Sequence, residues 1–149
     1  MKPVQEYNWC FACGKDNPIG LHLHFDIDQV AKTCTAKFTP KHEHQSYDGR
    51  MHGGLITVLL DEVMGTYLYR AVGRPCYTAK MELRFRQPVM VGTTITCIGK
   101  EIERKGRLVI MRGEILNPDG AIAAEAVANF LFFFLDGHSD NEKHFFFFF

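Results

Sequence analysis

The hydrophobic and polar positions of this chain fall into a short alternating front, one long apolar stretch and a long alternating back. Near the front, "LHLHFDI" alternates Leu21, Leu23 and Phe25 against His22 and His24, and "KTCTAKF" alternates less cleanly. Period two predicts two half-buried strands there. Before them, "WCFACGKDNPIG" at 9–20 carries the Gly, Asn and Pro of a turn-laden opening segment, and after them residues 40–52 form a polar loop. From Gly53 to about Arg70, eighteen residues run with few breakers, which is too long for a strand and predicts a helix. That helix is apolar nearly all round, so burial is expected. Period two then returns. "TAKMELRFR" sets Ala79, Met81, Leu83 and Phe85 on one face and Thr78, Lys80, Glu82, Arg84 and Arg86 on the other. Residues 93–103, 107–116 and 121–134 supply three more strands, joined at the turn signals "ERKGR" and "NPDG". The order predicts an α+β fold: an antiparallel sheet of about six strands wrapped around one long central helix, its last four strands a meander.

Composition narrows what such a fold does. A chain of 149 residues has room for one domain with a core and not for two ordinary ones, and residues 1–135 are expected to form it. Five terminal phenylalanines after the polar "DGHSDNEKH" fit no monomer core, so residues 136–149 are read as a mobile appendage or an artificial extension. Seventeen basic residues balance seventeen acidic ones and no basic run is present, which excludes a phosphate-neutralising nucleic-acid partner. No segment offers the ~20 consecutive apolar residues of a membrane span, and "MKPVQEYNWC" lacks the apolar core of a secretion signal, so a cytoplasmic protein is expected. Five cysteines, an odd number, fit a reducing compartment better than a disulfide framework.

The chemistry concentrates in "MHGGLITVLLDEVMG", residues 51–65, where Asp61 and Glu62 interrupt an apolar run. A buried carboxylate loses several kcal/mol of hydration unless it is paired or used. Gly54, Thr57 or Val58, Asp61 and Gly65 share one helix face of mostly small side chains, which leaves space for a ligand beside Asp61. A carboxylate in such an apolar cleft has its pKa pushed up toward the range useful for proton abstraction. Glu62 lies about 100° round the helix from Asp61 and is expected in a rim or interface salt bridge.

"HGGLITVLLDE" resembles the signature of hot-dog-fold acyl-CoA thioesterases of the phenylacetate-pathway type, in the 4-hydroxybenzoyl-CoA thioesterase superfamily. "CFACGKDNPIGL" is similar to the opening segment of one branch of that family, and "MELRFRQPVMVG" to the strand and Pro turn after its helix, so the resemblance spans roughly residues 9–134. It implies a homodimer or homotetramer that hydrolyses acyl-CoA without a cofactor. In that family the acid seven residues after the second glycine, here Asp61, is the general base or nucleophile, and the backbone N–H at Gly53 is the oxyanion donor. The free N–H groups and dipole of a helix start suit that second role. Relatives carry an Asn or Gln fifteen residues before the acid; here Ser46 stands there, with Gln45 before it. A Ser or Thr early in the next strand would be Thr78, although its parity puts it on the charged face. His52 either orients the loop or touches the thioester. Gly54, Ser46 and Thr57 would border the substrate, and Arg84 or Arg86 would meet the CoA phosphates at the rim. Two other functions stay open: a hot-dog hydratase, which needs an Asp and His dyad, and a non-catalytic acyl-CoA binder.

Cys10 and Cys13 form a C-x-x-C, with His22 and His24 ten residues on, a conceivable four-ligand zinc set. Two histidines on one strand face are too close together for an undistorted tetrahedral pair, so the cysteines are read as small hydrophobes in a tight turn and no metal is expected.

Overall fold

The computed structural model describes residues 8–133, so the expectation for residues 136–149 lies outside the described residues. In chain order the elements are β1 (Asp26–Asp28), β2 (Thr33–Phe38), a single 3-10 turn (His42–His44), α1 (Gly53–Val72), β3 (Cys76–Phe85), β4 (Ile95–Lys105), β5 (Leu108–Leu116) and β6 (Ile122–Phe132). The six strands form one antiparallel sheet in the order β1-β2-β4-β5-β6-β3, and α1 lies against one face of it, touching all strands from β2 to β6. This is the hot-dog arrangement that the pattern and the resemblance both predict. No helix among the described residues is long and apolar enough to cross a membrane.

Helix α1 starts and stops where its caps dictate. The imidazole Nδ1 of His52 accepts the Gly54 N–H at 2.9 Å, and Gly73, at φ 71°, closes the last turn through its N–H to the Tyr69 carbonyl. Ile56, Leu59, Leu60, Val63, Met64, Tyr67 and Leu68 are buried, at the i, i+3, i+4 spacing of one face. Each such side chain contributes about 1.5–3 kcal/mol through burial. The opposite face, including Val58, Asp61, Glu62 and Gly65, is half-buried, so the helix is buried on its sheet side and leaves the space expected beside Asp61. The helix sits close because Gly99 and Gly113 oppose one another on β4 and β5. A Cβ on Gly99 would lie 2.5 Å from the Val63 carbonyl oxygen, so only glycine lets the helix backbone rest on the strand.

Three expectations are corrected. Residues 21–25 are not a strand: His22 stands at φ 51°, and the Leu21 and Leu23 N–H groups bond back to the Phe11 and Ala12 carbonyls of the opening segment. The alternation there is one of burial without a ladder, with Leu21 and Leu23 in the core and both histidines exposed. The last four strands are not a simple meander. β4, β5 and β6 are, but β3 crosses to the far edge and pairs with β6. The parity of β3 also breaks. Thr78 pairs with Phe130 and Lys80 with Asn129, so Ala79 is an extra residue in a β-bulge.

Candidate active site

The bulge in β3 decides which residue meets Asp61. Downstream of it Met81 and Leu83 oppose Ala128 and Ala126, whose side chains are buried against the helix. Upstream of it Thr78 and Cys76 oppose the buried Phe130 and Phe132, so they take the same inward face despite their parity. Thr78 accordingly donates its hydroxyl to Asp61 Oδ1 at 2.5 Å. The expectation that Thr78 belongs with Arg84 and Arg86 on the charged face is therefore corrected. Among the described residues the Asp61 carboxylate accepts this one hydrogen bond, which leaves Oδ2 without a partner among them.

Asp61 and Thr78 stand in the wall of an open cleft of about 1230 Å³ bounded by α1, the start of β3 and the opening segment. Burial raises the Asp61 carboxyl above its usual pKa, and the Thr78 hydrogen bond opposes that in part. The neighbouring Cys76 thiol is pushed up to about 11, by burial first and the Asp61 charge second. Gly65 and Tyr69 continue the Asp61 face by one and two turns and line the same cleft, as does Arg70, whose guanidinium lies 5.6 Å from the centre of the Phe25 ring. The i+4, i+8 spacing from Asp61 carries the signal for Tyr69, one turn beyond the small-residue stripe that ends at Gly65.

The helix start is a separate place. Gly54 N–H is taken by His52, Leu55 and Ile56 N–H both point to the His52 carbonyl, and Gly53 N–H has no acceptor among the described residues. A Cβ on Gly53 would lie 3.3 Å from the edge of the Phe85 ring, so that ring is its immediate neighbour. Eight residues of helix separate Gly53 from Asp61, about 12 Å along the axis. The two groups expected to share one site are thus not brought together within one chain, and neither Gly53, Gly54 nor His52 borders the cleft at Asp61. His52 is the helix cap. Thr57 bonds its own helix through Oγ1 to the Gly53 carbonyl at 3.0 Å. Gln45 Oε1 accepts the Gly49 N–H at 3.2 Å, and the Ser46 N–H meets the Arg50 carbonyl, so both belong to the loop ahead of the helix. Arg86 forms a charge pair with Glu125, the cross-strand partner of Arg84, on the sheet face away from α1.

The family model of the thioesterase superfamily matches residues 48–124, more than half of the chain, and takes in α1 with Gly53 and Asp61 and all of β3, β4 and β5. The chain belongs to the thioesterase superfamily. No curated protein matches it. Among solved structures, the thioesterase superfamily protein RHA08564 superposes with a TM-score of 0.76 at 22% identity, over 83% of this chain and 60% of that one. This chain therefore spans about three-fifths of that relative. The protein smu.793 from Streptococcus mutans UA159, bound to acetyl CoA, gives 0.68 at 15% identity over 74% and 88%. The Escherichia coli PaaI protein of the phenylacetic acid degradation operon gives 0.68 at 16% over 76% and 80%. At these identities the likeness is one of fold.

The fold also sets Glu62 against residues far from it in sequence. Among the described residues it has no salt-bridge partner; its Oε1 receives the Thr66 hydroxyl at 3.3 Å and faces the Cys10 Sγ at 3.7 Å, with Cys13 beside them.

Proposed function

We propose that this chain is a cytoplasmic acyl-CoA thioesterase, releasing a free acid and CoA, with Asp61 as its catalytic carboxylate. The observation that carries the reading is the Thr78 to Asp61 hydrogen bond inside a cleft on a superfamily helix. Thr78 occupies Oδ1 and so orients the carboxylate, while Oδ2 is left to take a proton from water. The water oxygen then attacks the thioester carbonyl carbon, negative charge builds on the carbonyl oxygen, and collapse breaks the C–S bond and expels the CoA thiolate. That oxyanion needs a fixed donor, and the Gly53 N–H at the positive end of α1 has no acceptor among the described residues.

Because Gly53 and Asp61 stand about 12 Å apart on one helix, a complete site needs two chains. In the assembly we propose, edge strands β3 pair across a two-fold axis, so that the helix start of one subunit faces Asp61 of the other. The exposure of Phe85 and Tyr77 on that edge strand supports this pairing. Acyl-CoA as the substrate class is supported by the acetyl CoA of the S. mutans neighbour and the coenzyme A of a Streptococcus pneumoniae one. Gly54, Ser46 and Gln45 at the helix start would then border the thioester from across the interface, and Arg84 or Arg86 the CoA phosphates.

Thiol release from a panel of aliphatic and aromatic acyl-CoAs tests the proposal. At least one member is hydrolysed by the wild type, and Asp61→Asn lowers kcat by at least ~10², the low end for general acid-base catalysis. Binding across the panel without turnover would instead make the chain an acyl-CoA binder. Transfer of solvent ¹⁸O into Asp61 during turnover would mark it as nucleophile in place of base.

A further inference from the structure

The opening segment and helix α1 bring together three groups that the thioesterase reading leaves unused. The Sγ atoms of Cys10 and Cys13 and a carboxylate oxygen of Glu62 all lie within 4.8 Å of one another, and each residue is half-buried. We propose that these three residues hold one zinc ion, with solvent in the fourth position, and that the ion fastens the opening segment to α1 beside the cleft.

The geometry is close to what the ion requires. Tetrahedral zinc with sulfur at ~2.3 Å and oxygen at ~2.0 Å sets its ligand atoms about 3.5–3.8 Å apart, and Cys10 Sγ already lies 3.7 Å from Glu62 Oε1. The turn that carries the sulfurs is tightly wound. Gly14 N–H closes it onto the Cys10 carbonyl at 2.8 Å, and a Cβ on Gly14 would sit 2.3 Å from the Asn8 oxygen and 2.5 Å from the Cys10 nitrogen. Only glycine fits, so the loop arrives at the helix with both thiols already on one side. The third ligand stands on a rigid element, and the Thr66 hydroxyl at 3.3 Å from Glu62 Oε1 orients it from outside the site, as hydrogen bonds around metal ligands do.

The chemistry of the donors selects the ion. Two thiolates favour a soft or borderline cation, and two sulfurs with one carboxylate suit tetrahedral zinc rather than magnesium or calcium. Cys10 and Cys13 pack at the margin of the hydrophobic core, and their sulfurs also face the Glu62 carboxylate. Binding exchanges the two thiol protons for the ion and releases them to solvent. His22 and His24 take no part, since both are exposed on the irregular segment that precedes β1. The ligand that sequence spacing could not supply is 49 residues downstream of Cys13, on the neighbour of Asp61.

Elemental analysis of the full chain, purified under reducing conditions without chelator, is expected to find about one zinc per chain. Cobalt substitution should give the near-ultraviolet thiolate-to-metal charge-transfer band. Cys13→Ser should abolish both, and Glu62→Gln should weaken zinc binding by at least ~10-fold. Should the variants not fold, the wild type decides: zinc added to the reduced, metal-free chain should shield two of its five thiols from an alkylating reagent and raise Tm. The proposal is overturned if the reduced chain takes up neither zinc nor cobalt, if thiol reactivity ignores zinc, or if Glu62→Gln binds zinc as tightly as the wild type.

Discussion

Replacing Thr78 by valine removes one hydroxyl and almost nothing else. Valine keeps the branched shape and the strand preference of threonine, and position 78 is exposed on an edge strand, so the fold should tolerate it. What is lost is the 2.5 Å hydrogen bond to Asp61 Oδ1, the one protein contact that orients this carboxylate among the described residues. A hydrogen bond to a charged group contributes about 1.5–3 kcal/mol. At about 1.4 kcal/mol per factor of ten, its loss in the transition state lowers kcat by ~10- to 10²-fold. The assay is steady-state thiol release on the best substrate of the panel, with Tm measured alongside. A positioning role predicts that kcat falls while KM and Tm hold, and that Thr78→Ser, which keeps the donor, recovers kcat to within about threefold of wild type. Turnover of Thr78→Val within about twofold of wild type, or a serine variant as slow as the valine one, would refute the argument from the bulge to the carboxylate.

Gly53→Ala puts a methyl group 3.3 Å from the Phe85 ring and beside the unclaimed N–H, while alanine favours the helix itself by up to ~1 kcal/mol. Activity should therefore fall, by up to the ~10² that losing an oxyanion donor costs, with Tm unchanged or higher; a parallel loss of both would assign Gly53 to folding alone. Glu62→Gln should reduce kcat far less than Asp61→Asn, and an equal loss would mean the wrong acid has been assigned. Glu101 on β4 has 5% of its side chain exposed and is gripped by Arg104 at 2.6 and 3.1 Å, with Lys32 at 3.7 Å. The Arg104 hydrogen bonds foremost hold its carboxyl below the usual range. A depressed folded pKa stabilises above the unfolded value and loses that contribution as pH falls through the folded one. Glu101→Gln should thus cost about 1–3 kcal/mol at pH 7 and progressively less below about pH 4, measured by denaturant titration; an equal cost at pH 3 would contradict the assignment. Sedimentation at assay concentration should find a dimer or larger, and a fully active monomer would rule out a site shared between subunits.

Much of this protein is written in local pattern. Period two after residue 76, an eighteen-residue run with few breakers and the turn residues between strands are properties of neighbouring positions, and each gave the element that the structure contains. The same holds for Asp61, because helical periodicity alone puts it on the face with Gly65. Tertiary structure decided what depends on partners distant in sequence. The side of the sheet on which β3 pairs is set by β6, and the bulge that turns Thr78 inward exists only against Phe130 and Asn129, so parity counted along β3 by itself pointed the wrong way. Residues 21–25 alternate like a strand, yet their backbone partners are in the opening segment and no ladder forms. Glu62 reads as a rim charge until the fold sets it against Cys10 and Cys13, residues it meets only because the opening segment packs on the helix. Spacing along a chain determines which face of an element a residue takes, and packing between elements determines what that face meets.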